Sequence, residues 1–334
     1  MNPRCRLKDS FSPKAALVLA LMGAAALWLM LGSGKPGSAG DVLAQPAAKP
    51  AKATALFGAG GPTLGGRQLW TDRAYQAGWR VQCHVWTGHC RLLDPKDRRR
   101  AWGDFDAVMA DFSERRGTGQ IRANRPHLVV LLHGLGRTRH MFTDLAKTLE
   151  AGGYEVADLA YPSTRRSLSE QADELAALLG RLEGVERVSF VTHSLGGMVL
   201  RRLLAEERAY QKTIAPGRAV LIAPPSQGAR LADLLRYVPA YRALSGPAGQ
   251  EITTGAAAML PPPRIPFGII AGIRGDGAGY NPLLSGEDDG VVSLAEARLA
   301  GAADFLTVEE LHTFIANHPE TLRAVPGFLA TGRF

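Results

Sequence analysis

Ser194 lies in Thr192-His193-Ser194-Leu195-Gly196, followed by Gly197. Val188-Ser189-Phe190-Val191 before it reads as a buried strand, and Met198 to Leu204 after it reads as a helix. A serine at a sharp strand-to-helix turn, flanked by small residues, carries its hydroxyl exposed above a sheet. Bulk two positions before or two after would collide across the turn. Gly196 meets that demand fully, and Thr192 only partly, because the usual residue there is glycine. Gly197 lets the helix approach the sheet, and the helix N-terminus turns free backbone donors and the positive dipole end toward developing negative charge.

A serine hydroxyl needs a base, an acid to orient that base, and donors for the oxyanion. On a strand-turn-helix of this type the chain order is serine, acid, histidine. Two histidines follow Ser194, His312 and His318. His312 comes after an apolar run and a short loop and is the expected base. His318 stands before Pro319, where capping a helix accounts for it. The acid is sought in Glu287-Asp288-Asp289-Gly290. Asp289, directly before Gly290, is expected to point inward, whereas Asp288 and Glu287 are expected in solvent. Asp276 lies in a glycine-rich loop with no sign of inward aim. Taken alone, such an acidic loop is surface or a set of calcium ligands. The oxyanion donors are expected to be the amides of Leu195 and, from His133-Gly134-Leu135-Gly136, of Leu135. His133 is read as structural. Arg137, Arg139 and His140 either touch an acidic group on a substrate or, the favoured reading, stand in solvent at a helix start.

The elements that must position these residues alternate. Apolar runs at 127–132, 154–161, 188–192, 219–222, 265–271 and 303–308 alternate with amphipathic segments, which predicts a mostly parallel sheet with helices on both faces. This α/β domain is placed at 127–334. Residues 63–126 hold four of the five tryptophans and are expected to form a hairpin and one helix near Arg98 to Arg115, covering a sheet edge. Between two strands, residues 224–264 carry Leu231, Leu234, Leu235 and Val238 on one helical stripe, either a lid over the site or a face packed on the core.

The N-terminus carries a location signal. Arg4, Arg6, Lys8 and Lys14 precede an uncharged run from Ala15 to Leu31. As a helix it spans about 25 Å, the lower limit for a bilayer core of about 30 Å. Residues 1–32 are read as a transmembrane signal-anchor, with a cleaved signal peptide as the rival. The charge bias keeps the N-terminus inside and places the rest of the chain beyond the inner membrane. Residues 33–62, rich in Ala, Pro and Gly, read as a flexible linker. Cys83 and Cys90 would then meet an oxidising compartment. A turn centred on Trp86-Thr87 would set them opposite each other for a disulfide, and one at Thr87-Gly88 would not. Their spacing with His84 and His89 does not suit a zinc site. The net charge of +8 comes mainly from 31 arginines, scattered without the aromatic interleaving that grips nucleic acid.

Six segments occur in order between 133 and 314: HGLGRTRHMF (133–142), YPS (161–163), THSLGGMVLR (192–201), APPSQG (223–228), EDDGVVS (287–293) and LHTF (311–314). Together they resemble an α/β-hydrolase, and within that superfamily a bacterial lipase or esterase. The resemblance implies a Ser194–His312–Asp289 triad and an oxyanion hole from Leu135 and Leu195; no cofactor is expected, and a membrane-tethered domain with an apolar acyl site suits a hydrophobic or lipid-like ester as substrate. Some lipases of this type hold calcium near the histidine. Thr313, Phe314 and Ile315 offer no carboxylate there, so no metal is expected. Two rivals remain: an acyltransferase using the same triad, and a membrane-anchored binding or scaffold protein that keeps the fold without the chemistry.

Overall fold

The computed structural model describes residues 67–334. The expected anchor (1–32), the linker (33–62) and Cys5 lie outside the described residues. Among the described residues, no helix is long and apolar enough to cross a membrane.

The chain first builds a small antiparallel sheet, β1 (Trp70–Gln76), β2 (Trp79–His84), β3 (Cys90–Leu93) and β4 (Arg99–Gly103), in that spatial order. Helix α1 (Phe105–Gly117) buries Val108 and Phe112 against it. This differs from the expected hairpin with a helix near Arg98 to Arg115. The Asp94 carboxylate decides the difference. One oxygen accepts the amides of Lys96 and Arg98, both at 2.9 Å, and the other the Arg100 guanidinium at 2.6 Å. That closes a tight turn and sends Arg99 to Gly103 back as a strand. The helix starts only at Asp104, whose side chain caps the Ala107 amide at 2.8 Å. Cys83 and Cys90 pair across β2 and β3 and form a disulfide, with the connecting loop centred on Trp86-Thr87.

The main sheet contains β5 (His127–Leu132), β6 (Glu155–Asp158), β7 (Arg187–His193), β8 (Ala215–Ile222), β9 (Phe267–Ile273) and β10 (Asp304–Glu309). All six strands are parallel, in the order β10-β9-β8-β7-β5-β6. Alternate side chains point to opposite faces. Leu128, Val130, Leu132 and Phe190 meet α3 (Leu168–Leu179) and α4 (Leu195–Leu204). Val129, Leu131 and Val191 meet α2 (Thr143–Ala151) and α9 (Pro319–Thr331). Helix α3 begins in a capping box, Ser167 with Glu170.

Between β8 and β9 the chain leaves the sheet as a cap of three short helices, α5 (Arg230–Leu235), α6 (Pro239–Gln250) and α7 (Thr254–Ala258). Of the expected stripe, Leu231 and Leu235 are buried, Val238 packs partly on the core, and Leu234 faces solvent. Arg201, buried on α4, holds the base of this cap. Its guanidinium donates to the carbonyls of Ser226 at 2.6 Å, Pro261 at 3.1 Å and Ala257 at 3.2 Å, and to that of Leu260. The short helix α8 (Leu294–Ala297) follows β9.

The small sheet sits against the β6 edge through buried charge. Arg80 donates to the Asp158 carboxylate at 2.9 Å and lies 3.6 Å from Asp72, while Asp72 accepts the Ala160 amide at 2.8 Å. Arg139 also binds Asp158, and it binds Asp97; it is therefore buried and paired rather than solvated as expected. Burial pushes the Asp72 carboxyl up. At Asp158 burial acts in the same sense, but Arg80 and Arg139 outweigh it and hold that carboxyl down. Removing one partner of such a group leaves uncompensated buried charge. Arg80→Met is expected to cost about 3–5 kcal/mol of stability. Denaturant unfolding checks this, and an unchanged midpoint would show that the cluster does not hold the two sheets together.

Candidate active site

The turn at Ser194 is built by close backbone contacts. Ser194 has φ 52° and ψ −120°, a region that L-residues rarely adopt. Its amide donates to the Ile222 carbonyl at 2.9 Å, and its own carbonyl accepts the Gly197 amide at 2.9 Å. A Cβ at Gly196 would lie 2.3 Å from the Leu132 carbonyl oxygen, so only glycine fits. Thr192, where such a turn usually has glycine, fits sterically but leaves its buried hydroxyl without a hydrogen-bond partner among the described residues. It stays in ladder register between Leu132 and Leu221, fully buried, and its hydroxyl fills the space beside Gly197.

His312 follows β10, and the loop after β9 brings Asp289 to it. His312 Nδ1 donates to Asp289 Oδ2 at 2.7 Å, and the His312 amide donates to the Asp289 carbonyl at 2.9 Å. The other carboxylate oxygen accepts the amides of Val291 at 3.0 Å and Val292 at 2.8 Å. With Nδ1 donating, His312 keeps Nε2 as the free, basic nitrogen. His312 and Ser194 border one cavity, together with Gly134, Leu135, Leu231, Leu235, Tyr241 and Ile252. No hydrogen bond joins Ser194 to His312 among the described residues; in sites without substrate this bond is commonly long and tightens on binding. Leu195 opens α4, so its amide has no intrahelical acceptor.

Other candidates find other places. His318 caps α9, its Nδ1 accepting the Glu320 amide at 3.3 Å. The Asp276 side chain folds onto the amides of Ala278 and Gly279 in its own exposed loop. Asp288, expected in solvent, is instead buried. It takes the amides of Tyr280 at 3.1 Å, Asn281 at 3.0 Å and Gly290 at 2.6 Å. Glu287, also expected in solvent, is half-buried and accepts the amides of Arg274 at 2.9 Å and Gly275 at 3.0 Å, and that of Gly277. These two carboxylates hold the loop that presents Asp289. Of the three basic residues after the glycine turn, Arg137 borders the cavity and His140 is exposed. Among the described residues, no group of three His, Cys, Asp or Glu side chains could hold a metal ion.

No sequence pattern marks His193, yet it is part of the site. Its ring is buried 4.7 Å from that of His312, and its Nε2 donates to the His312 carbonyl at 2.8 Å. It thereby fixes the backbone of the expected base from the residue next to the expected nucleophile.

The model of the alpha/beta hydrolase family matches residues 129–327. Similar solved structures include the mature lipase BlEst2 of Bacillus licheniformis, 21% identical with a TM-score of 0.48, covering 64% of this chain and 94% of that one. Another is the metagenomic carboxyl esterase MGS0156, 18% identical with a TM-score of 0.43, covering 60% and 74%. No curated protein matches the sequence.

Two buried imidazoles give the site an acid limit. His133 stacks on Tyr161 with centroids 4.1 Å apart, and its Nδ1 bonds the Gly134 carbonyl at 2.9 Å. Burial pushes its pKa down to about 4. Burial, then the neighbouring His312, hold His193 well below its ordinary value. Unfolded histidine titrates near 6.5. As pH falls below that value, the unfolded chain takes up protons that the folded chain refuses, so stability falls and levels off only near pH 4 for His133. For His133 alone the loss is about 3 kcal/mol. Urea unfolding at pH 7 and pH 4.5 should show about 2 kcal/mol of this loss, reduced in His133→Asn; an equally steep fall in the variant would remove His133 as its source.

Proposed function

The chain belongs to the alpha/beta hydrolase family, and on that premise we propose that it is a serine carboxylester hydrolase working through an acyl-enzyme. The observation that carries this reading is the buried Asp289–His312 hydrogen bond at 2.7 Å, beside a cavity that the strained Ser194 also borders. His312 Nε2 removes the Ser194 proton, and Oγ attacks the ester carbonyl. The amides of Leu135 and Leu195 receive the oxyanion. Collapse expels the alcohol, protonated by His312, and leaves the acyl group on Ser194. Water, deprotonated by His312, then attacks the acyl carbonyl and regenerates the serine. Asp289 keeps His312 in the reactive tautomer and stabilises its charged form.

A hydrophobic or lipid-like acyl group suits the cavity, whose walls include Leu231, Leu235, Tyr241, Ile252, Val291 and Val292. Tyr237 and Leu244 on the cap, and Phe314 just after His312, are exposed apolar side chains, as a surface meeting hydrophobic substrate would have. The run from Ala15 to Leu31 tethers the catalytic part outside the inner membrane; the Cys83–Cys90 disulfide suits an oxidising compartment. An acyltransferase would use the same residues and pass the acyl group to another alcohol or amine. Product analysis with added acceptors separates the two.

Ser194→Ala should lower ester turnover by roughly six orders of magnitude and abolish labelling by a fluorophosphonate. Asp289→Asn, which puts His312 in the wrong tautomer, should lower kcat by about 10⁴. Near-full activity in Ser194→Ala would rule out this mechanism, and a wild-type chain that no fluorophosphonate labels would favour a binding or scaffold role. A series of esters of increasing acyl length should show preference for the longer, apolar members; equal rates throughout would remove the acyl-pocket assignment.

A further inference from the structure

The loop that carries the Leu135 amide is a four-residue turn, closed by the Arg137 amide donating to the Gly134 carbonyl at 3.1 Å. Gly136 occupies its third position with φ 68°, as a type II turn requires. Such a turn has a sister form in which its central peptide, here Leu135–Gly136, is flipped; the flip turns over the Leu135 carbonyl and the Gly136 N–H, and the Leu135 N–H, one peptide earlier, keeps its place only while the turn around it stays put. Something must therefore hold that peptide, and the structure shows what does. The Gly136 amide donates to Ser163 Oγ at 2.9 Å, on a side chain with no solvent exposure. Ser163 Oγ donates in turn to Gln68 Oε1 at 3.0 Å. The same oxygen accepts the Thr164 amide at 3.0 Å and the Thr164 hydroxyl at 3.2 Å. From the other end of the carboxamide, Gln68 Nε2 donates to the Arg137 carbonyl at 2.6 Å.

We infer that Gln68 is a positioning residue for the oxyanion loop. Its carboxamide grips the turn at two points, directly at the Arg137 carbonyl and through Ser163 at the Gly136 amide, and so fixes where the Leu135 amide lies relative to Ser194. Gln68 stands just before β1, far upstream of residues 129–327 that match the family model. The N-terminal extension thus contributes to the site and does more than cover a sheet edge. The energetic reason is general: an oxyanion donor helps most when it is in place before charge develops, and a donor carried on a turn that can still shift loses part of that advantage. The inference rests on the serine-hydrolase reading, because it concerns a donor to an oxyanion formed at Ser194.

The test uses the full chain and three variants. Gln68→Met keeps the length of the side chain and removes every hydrogen bond. Gln68→Glu keeps the acceptor for Ser163 and Thr164 but loses the donor to Arg137. Gln68→Ala removes the side chain. Steady-state kinetics on a soluble ester, fluorophosphonate labelling rates and thermal midpoints are read together. A displaced donor is expected to lower kcat in Gln68→Met and Gln68→Ala by about 10- to 100-fold, with KM within about twofold. Gln68→Glu should recover part of the loss, and all midpoints should stay close to wild type. A wild-type chain labelled at Ser194 together with unchanged kcat in Gln68→Met would overturn the inference and leave the hydrolase reading standing. A loss of activity that follows a fall in thermal midpoint, with no recovery in Gln68→Glu, would overturn it in favour of a folding role. An unlabelled, inactive wild-type chain would overturn both.

Discussion

The backbone of Ser194 is the constraint around which this end of the sheet is arranged. A non-glycine residue at φ 52° costs on the order of 1–3 kcal/mol and persists only where its surroundings leave no alternative. Those surroundings come from several strands. Ile222 at the end of β8 takes the Ser194 amide, and Leu132 at the end of β5 comes so near Gly196 that no side chain fits. Gly134, in the turn after β5, approaches the His193 ring so closely that a Cβ there would lie 2.8 Å from Nδ1. The parallel sheet can make these contacts because β5, β7 and β8 are neighbours that end at the same level.

The same economy governs the groups around the serine. Three consecutive carboxylates, Glu287, Asp288 and Asp289, divide the work of one loop. Two are consumed by backbone amides, and the third is left with one oxygen for amides and one for His312. A buried carboxylate is tolerated where donors surround it. The loop therefore has little freedom to withdraw Asp289. His193 adds a second hold on His312 through its carbonyl, so the imidazole is fixed at both its ring and its backbone.

Much of this was legible in the sequence, for identifiable reasons. Six apolar runs separated by amphipathic segments leave few options besides a parallel sheet, and all six appear as its strands. Ser194, Asp289 and His312 could be singled out because chain order and turn glycines constrain them, and the structure brings all three to one end of the sheet. Asp288 could not be read, because its burial depends on amides of Tyr280 and Asn281 that fold back from an earlier part of the loop. Strand β4 was hidden because Arg98-Arg99-Arg100 looks like a solvated helix face until Asp94 gathers it into a turn. His193 drew no reading from the sequence, since its partner lies 119 residues away.

Arg201 has a consequence for the cap. Its guanidinium has carbonyl ligands from Ser226 at one end of the insertion and from Ala257, Leu260 and Pro261 at the other. Burial lowers its pKa only to about 10, so it remains a cation at neutral pH, solvated by peptide dipoles. The two ends of the excursion are thus stitched to the helix that follows Ser194, whatever lies between them. Closing a chain loop costs only slightly more as the loop grows, about 0.6 kcal/mol for each doubling of length. The segment between the stitches is therefore a cassette. A change in its length or sequence would alter the cavity walls at Leu231, Leu235, Tyr241 and Ile252 and leave the backbone contacts of the Ser194 turn in place.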